Sequence, residues 1–557
     1  PGCTVLIYEQ TCAAEKRRRR KHGNFPNPPK RMFIAEDVCE GCGDCSVQSS
    51  CVSILPRETP FGRKRAIDQS SCNKDYSCAD GFCPSFITIR DAEPRTPSGV
   101  TLTDALFDSL ETPKVVPGKY NIMVAGIGGT GVITVGALIG MAAHIDGRAA
   151  SLFDMTGLAQ KNGAVFSHIR IADTPDDLHT QRLGSGEADL LLAFDLVAAL
   201  SPESASTLSP KSRAIANEAV VPTVAFQFDR DAVPQSEVLV AHLAEKIGAE
   251  RMQQVDATAL ALGLTGDTIA ANLMVVGMAA QSGLLPVSVA AMEQAITLNG
   301  VAVRLNHNAF RLGRLLVANP GRVTAMMPRP DVEDAVPNTL EAIVAHRSAH
   351  LATYQNEALA QRYRERVSAV QARESAAVPD STILTTIFAR NYAKLLAIKD
   401  EYEVARMLVD PKLHARLRES FAEGARLSFN LAPPFLGGRG RDGRPAKREF
   451  PAWLMLPALR FLKGLKFLRG TMCDPFGMTA ERRAERKLIG DYEQLAERTL
   501  DGLSDANLPE AAALLDEIDA VRGYGPIKET AMEAYAERIA AAEARFASRN
   551  GAASSWP

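Results

Sequence analysis

The sequence predicts a multidomain protein of mixed α/β and α+β class: a small cysteine-rich module, an α/β domain and an α-helical C-terminal domain. Three observations predict it. The chain has 557 residues, whereas single hydrophobic cores stop growing near about 250–300 residues. Seven of its ten cysteines fall between residues 39 and 83. From about residue 335 onward the pattern is alanine-rich with helical periodicity, as in "TLEAIVAHRSAHLATYQNEALAQRYRERVSAVQARESAA" and "KETAMEAYAERIAAAEARFASRN".

With 46% hydrophobic and 23% charged residues and a formal net charge of -2, the composition is that of an ordinary globular protein with no global attraction to nucleic acid or membrane. The chain opens on "PGCTVLIYEQTC", without an initiator methionine or a basic signal region. The expectation is a cytoplasmic protein and the C-terminal half of a longer polypeptide. Segment 121–145 lacks Asp, Glu, Lys and Arg, segment 272–294 carries Glu293 alone among them, and both are long enough to raise the question of a membrane span. Glycines crowd the first and "SGLLP" interrupts the second, so buried strand–helix and helix–helix units are expected and no membrane span.

The cysteine module comes first in the chain. Disulfides are not expected without a secretion signal, which leaves metal binding. "CEGCGDCSVQSSC" places Cys39, Cys42 and Cys45 at C-x2-C-x2-C, followed by Cys51. "SSCNKDYSCADGFCPSF" repeats the unit at an offset of 33 residues, pairing Cys39 with Cys72, Cys42 with Asp75 and Cys45 with Cys78, while Cys51 and Cys83 correspond at an offset of 32. Ile34 and Ile67 each precede the first cysteine of their group by five residues. Zinc is the alternative metal, but its tetrahedral site takes four ligands and seven cysteines do not divide that way. Cys3, Cys12 and Cys473 are isolated and read as ordinary residues.

This internally repeated motif resembles the bacterial two-cluster ferredoxins, in which three thiolates of one repeat and one of the other hold each [4Fe–4S] cluster. The resemblance implies a ferredoxin-like domain over 31–95 in which Cys39, Cys42, Cys45 and Cys83 hold one cluster. Cys72, Asp75, Cys78 and Cys51 are left for the second. The sequence departs from the family in three places: Val52 replaces a proline, both fourth-cysteine spacings are long, and Asp75 replaces a thiolate.

Next, "YNIMVAGIGGTGVITVGALIGMAAHIDG" reads as strand, glycine turn and helix, with Gly126, Gly128, Gly129, Thr130 and Gly131 in the turn. Bare amides at a helix N-terminus favour an anion. Asp154 closes "AASLFD", near where a Rossmann-type nicotinamide or flavin site places its ribose carboxylate. The series "TGLAQKNGAVFSHIRIA", "GEADLLLAFD", "ANLMVVGMAAQSGLLP" and "NHNAFRLG" resembles the gamma domain of the 2-oxoacid:ferredoxin oxidoreductases and sets a domain at 118–325. The resemblance implies that the turn serves coenzyme A or a domain interface in place of a nicotinamide.

The opening "TVLIYEQTCAAEKRRRRKHG" resembles the end of the thiamine diphosphate domain of the fused, aerobic-type indolepyruvate ferredoxin oxidoreductases, which assigns 1–30 to that end and a basic connector. The basic run from Lys16 to Lys21 has no interleaved aromatic residues and reads as a connector or subunit contact, so no nucleic acid is expected. The region 335–557 resembles the extra C-terminal domain of the fused enzymes. Within it "LAPPFLGGRGRDGRPAKREFPAW" reads as an extended loop. After that loop Arg460, Lys463, Lys466 and Arg469 recur beside Leu462, Leu465 and Leu468, a face suited to packing on a neighbouring domain, with a membrane surface or an anionic cofactor as the alternatives.

Taken together, these resemblances imply oxidative decarboxylation of indolepyruvate or another aryl 2-oxoacid with coenzyme A as co-substrate. Two [4Fe–4S] clusters would carry electrons to ferredoxin or another acceptor. Thiamine diphosphate and magnesium would lie in an N-terminal half that acts as partner, within a homodimer. No thiamine fingerprint of the G-D-G type occurs, so no catalytic residue of the carbon chemistry is expected in this chain. An iron–sulfur oxidoreductase using a nicotinamide or flavin, and an electron-transfer or scaffold subunit without activity, are the alternative readings.

Overall fold

A computed structural model describes residues 3–7, 9, 11, 15–16, 19–20, 23–95, 102–157, 163–327, 336–433, 438 and 444–549. Part of the basic run (Arg17, Arg18 and Lys21), Cys12, the "LAQKN" stretch at 158–162 and the middle of the proline–glycine loop lie outside the described residues. The chain divides into two compact units, one of residues 1–25 and 95–330, the other of residues 26–94 and 331–557.

In the second unit the cysteine module contributes β1 (Lys30–Ile34), α1 (Asp44–Ser49), β2 (Ile54–Arg57), β3 (Lys64–Ile67) and β4 (Phe86–Arg90). β1 and β4 pair antiparallel, as do β2 and β3. Strand alternation sorts the side chains: Met32, Ile34 and Phe86 turn to the cysteines, whereas Ile87 and Ile89 pack on the helical region.

The first unit carries β5 (Tyr120–Ile127), α2 (Val132–Ile145), β6 (Ala149–Thr156), β7 (Ala164–Ala172), β8 (Leu190–Ala193), β9 (Arg213–Asn217) and β10 (Met252–Val255). They form one six-stranded sheet in the order β10-β9-β8-β5-β7-β6. The first four of these are parallel, and β7 runs antiparallel to both β5 and β6. Helices α3 (Ala271–Gln281), α4 (Val289–Asn299) and α5 (Val303–Ala318) complete its larger core with α2. Segments 121–145 and 272–294 are thus a strand with its helix and a pair of helices; among the described residues no helix is long and apolar enough to cross a membrane.

The helices of the second unit are α6 (Leu340–Tyr354), α7 (Glu357–Ala377), α8 (Ile383–Leu396), α9 (Glu401–Leu408) and α10 (Pro411–Ser420). The fully buried Glu374 carboxylate starts α8, accepting from the Leu384 and Thr385 amides at 2.9 and 2.7 Å, groups that a helix N-terminus leaves without an intrahelical partner. The C-terminal region is not helical throughout. β11 (Arg426–Leu431) pairs antiparallel with β4, and β12 (Arg448–Pro451), which lies within the segment expected to be an extended loop, pairs with β11, so these two strands extend the cysteine module's sheet to four strands. The pairing was illegible because its partner strand lies more than 300 residues away.

After β12 come α11 (Ala452–Gly464), α12 (Ala480–Asp501), α13 (Leu508–Asp516) and α14 (Pro526–Arg549). The basic face of α11 and the turn after it divides in use. Arg469 pairs with Asp400 and stacks 3.8 Å from the Tyr354 ring centroid, and Lys466 donates to the Thr353 carbonyl at 2.7 Å.

Candidate metal centre

The loop from Cys39 to Cys45 is shaped by two left-handed glycines, Gly41 (φ 66°) and Gly43 (φ 84°). A Cβ on Gly41 would stand 2.4 Å from the Arg63 carbonyl oxygen, so no other residue fits there. The loop turns its amides inward: Gly41 donates to the Cys39 sulfur at 3.3 Å, and the Asp44 amide donates to Cys42. From the other repeat, Gly81 lies so close to Cys45 that a Cβ would be 2.9 Å from the Cys45 Cα. This contact carries Cys83 to the first group, where its sulfur lies 2.8 Å from the Ser85 hydroxyl. Cys39, Cys42, Cys45 and Cys83 together line one small cavity.

Their electrostatics follow from that crowding. Burial, with repulsion from Cys83 and Cys39, pushes the Cys42 thiol up to about 12. Burial lifts Cys45 well above the ordinary thiol range, with Cys39, Cys83 and Cys42 adding to it and the buried Arg65 opposing. Cys83 is also raised by burial, while Lys447 pulls it down. Cys42, Cys45 and Cys83 therefore become thiolates together only if a cation joins them.

The second group gathers Cys51, Cys72, Asp75 and Cys78. Burial takes Cys78 to about 12, with Cys51, Cys72 and Asp75 adding repulsion in that order. Cys72 is raised by burial and then by Cys51 and Asp75. The Ser53 and Lys74 amides each donate to a sulfur, of Cys51 and Cys72 respectively, at 3.4 Å.

Asp75 stands where the repeat places Cys42, and the backbone around it is the same. Lys74 (φ 56°) and Tyr76 (φ 67°) occupy the left-handed conformations of Gly41 and Gly43. The Ser77 amide donates to Asp75 Oδ1 at 3.4 Å, in the place of the Asp44 amide at Cys42. Lys74 is turned away, its Nζ bonded to Asn27 Oδ1 at 2.6 Å. Asp75 itself is exposed. Among the described residues no three His, Cys, Asp or Glu side chains gather as the ligands of a single metal ion.

Sequence reading missed the second layer. Asp44 is held by Arg444 at 3.2 Å and accepts from the Phe82 amide at 2.6 Å, and Lys447 reaches the Gly81 and Cys83 carbonyls. Both cations sit in "RPAK", whose basic character was visible but whose target was not. Cys3 and Cys473 are exposed.

In the first unit the glycine turn follows β5 and precedes α2. Gly126 has no room for a side chain, since a Cβ would meet Val132 Cγ2 at 2.7 Å. The Gly128 amide is taken by the Gly163 carbonyl at 2.8 Å, and Gly129 (φ 88°) and Gly131 (φ 93°) lead into α2. The Thr130 hydroxyl donates to the Ile127 carbonyl at 2.7 Å. Asp154 lies on β6, opposite Ser167, and β7 separates that strand from β5. A dinucleotide site places its ribose carboxylate on the strand adjoining the glycine turn; here the carboxylate's strand stands about two strand spacings away, roughly 10 Å.

Residues 121–316 match the family described as pyruvate ferredoxin/flavodoxin oxidoreductase, and residues 340–541 match a family of unknown function (DUF6537). The indolepyruvate oxidoreductase subunit IorB of Methanothermobacter thermautotrophicus is 29% identical over 197 residues, which are 35% of this chain and 96% of that protein. Its Pyrococcus horikoshii counterpart is 28% identical over 35% of this chain and 94% of its own length. Among solved structures, pyruvate oxidoreductase subunit PORC of Thermotoga maritima is 21% identical, with a TM-score of 0.26 over 35% of this chain and 96% of its own. The stretch 121–316 is thus similar to 2-oxoacid:ferredoxin oxidoreductases, with indolepyruvate oxidoreductase subunits among the proteins it resembles. The cysteine module lies outside both matched segments.

Proposed function

We propose that this chain is the electron-carrying portion of a coenzyme A-dependent oxidoreductase that decarboxylates indolepyruvate or another aryl 2-oxoacid. The observation that supports it most is the joining of a family-matched domain at 121–316 to two crossed sets of four metal-donor side chains. Cys39, Cys42, Cys45 and Cys83 would hold one [4Fe–4S] cluster and Cys51, Cys72, Asp75 and Cys78 the other. A four-iron cluster asks one donor of each iron, so it needs no convergence of three side chains on one ion.

The donor set fits: sulfurs crowded in apolar surroundings, each group receiving backbone N–H bonds, with Arg65 and Lys447 beside the first. When bound, the clusters would accept and pass on single electrons, and thiamine diphosphate on a partner half would supply the decarboxylation chemistry. The protein's own contribution is to keep water from the sulfurs with Met32, Ile34 and Phe86 and to set the potential through amides and buried cations. The glycine turn would serve coenzyme A or a domain interface, and electrons would leave to ferredoxin or another acceptor.

The test is to express the full chain, measure iron and acid-labile sulfide, and assay indolepyruvate-dependent ferredoxin reduction with and without a thiamine-bearing partner. The expected result is an iron-loaded chain that is inert alone and active with the partner; turnover by the chain alone, or absence of iron after anaerobic purification, would overturn the reading. Calorimetry should detect no saturable NAD(H) binding, whereas an isotherm abolished by Asp154→Ala would favour a nicotinamide enzyme.

A further inference from the structure

The second unit contains a cavity of about 570 Å³ between the cysteine module and α6, α8, α9, α12 and the start of α14, within the size range of small-molecule sites. Its wall holds ten Lys and Arg against seven Asp and Glu. Most of the cations are matched: Lys399 with Glu40 at 2.7 Å, Lys394 with Asp519 at 3.0 Å, Lys528 with Glu485 at 2.6 Å. Of the buried ones, Lys64 and Arg347 have no carboxylate partner among the described residues, although the Arg347 guanidinium lies over the Phe61 ring, 4.4 Å from its centroid. Lys64 is 7% exposed and meets no carboxylate at ion-pair distance among the described residues. Arg347 is 8% exposed, donates one bond to the Pro60 carbonyl and leaves Nε and Nη1 without a partner.

We propose that this cavity binds a phosphorylated small molecule of nucleotide size, with Lys64 and Arg347 taking its phosphate oxygens. A buried cation without a counter-ion is costly: burial and the neighbouring Lys399 lower the Lys64 ammonium to about 7, and a phosphate beside it would restore the charge, while a planar guanidinium with two open donors suits phosphate. The field in the cavity is positive: burial together with Arg406, Arg347 and Lys399 depresses the His350 imidazole to about 3. Phe61, set against the His346 and His350 rings at 4.9 and 4.7 Å, and Ile343, Ile387 and Met407 offer an apolar side for the organic part. The site gives the helical region a ligand. It also touches the candidate centre, since Glu40 lines it and Lys399 donates to the Cys39 carbonyl at 3.0 Å.

The test is calorimetric titration of the full chain with pyrophosphate, ADP and sulfate at matched ionic strength, with the melting temperature as second readout. Saturable binding of pyrophosphate and ADP is expected, weakened by roughly tenfold or more in Lys64→Met and kept within about threefold in Lys64→Arg. Arg390 lies exposed on the rim with no ion-pair partner among the described residues, so Arg390→Glu should also weaken binding, and it keeps the test decisive if Lys64→Met does not fold. Tighter ADP than pyrophosphate assigns the apolar wall to the ligand's organic part, and equal affinities confine recognition to the phosphates. No saturable response, the same response to sulfate, or affinities unchanged in Lys64→Met and Arg390→Glu overturn the proposal.

Discussion

The two halves of the cysteine module share a backbone and solve it differently. In the first, Gly41 and Gly43 adopt the left-handed turns on either side of Cys42 without a side-chain penalty. In the second, Lys74 and Tyr76 adopt the same turns around Asp75, at a strain of about 1–3 kcal/mol each. Their side chains hold them there: Lys74 Nζ bonds Asn27, and the Tyr76 hydroxyl donates to the Lys30 carbonyl at 2.7 Å. The halves also differ in what surrounds them. The first is braced by Arg65, Arg444 and Lys447 and backed by the basic cavity, while Asp75 is exposed. A repeated turn thus keeps its geometry under different side chains when other contacts compensate, and the donor at its tip is free to change.

The largest expected effect separates the halves by metal content. Cys45→Ser should remove the cluster of the first half and Cys78→Ser that of the second, each cutting iron to roughly half if both sets of four are ligands. Equal and complete iron loss in both variants would mean that the halves are not independent sites.

Next comes Asp75. A carboxylate is a harder donor than a thiolate and holds iron–sulfur iron more weakly, so Asp75→Cys should make the second centre resist oxidation. Asp75→Ala should favour a three-iron form visible by electron paramagnetic resonance. Unchanged spectra and iron content in both variants would reduce Asp75 to a cap on the Ser77 amide.

Denaturant midpoints test the turns themselves. Gly41→Ala should destabilise by about 1–3 kcal/mol, because a positive φ and the Arg63 carbonyl both oppose a Cβ. Lys74→Gly should come out near neutral, since relief of about 1 kcal/mol offsets a lost hydrogen bond of about 1 kcal/mol. A large loss in Lys74→Gly would mean that the Asn27 contact, not the turn, carries the second half.

The smallest effect is on pH. His350 is depressed from its ordinary value to about 3 by burial and neighbouring cations, so the unfolded chain binds the extra proton between these values. Its contribution to the stability of the cavity behind the first half is therefore whole above about 6.5 and falls as pH drops toward 3. Melting temperatures of wild type and His350→Gln across pH 7 to 5 should converge as the pH falls, and parallel curves would contradict it.

Much of the site was legible because local spacing encodes it. The offset of 33 pairs Asp75 with Cys42 and, one residue along, Tyr76 with Gly43, which fixes which residues share a turn conformation. Asp154 shows the opposite case, since its sequence position after a glycine turn is that of a dinucleotide site until β7 is seen to stand between the strands. Lys447 and Arg444 were visible as charges without targets.

By itself the sequence determined the cysteine repeat, the strand–glycine–helix unit and the helical character of most of the C-terminal region, because each is written in residues close to one another along the chain. Only the tertiary structure decided that β11 and β12 complete the cysteine module's sheet, that Gly81 brings Cys83 against Cys45, and that Lys64 and Arg347 share one cavity wall. Strand pairing and buried charge depend on which surfaces meet, and partners hundreds of residues apart leave no periodic trace in the chain.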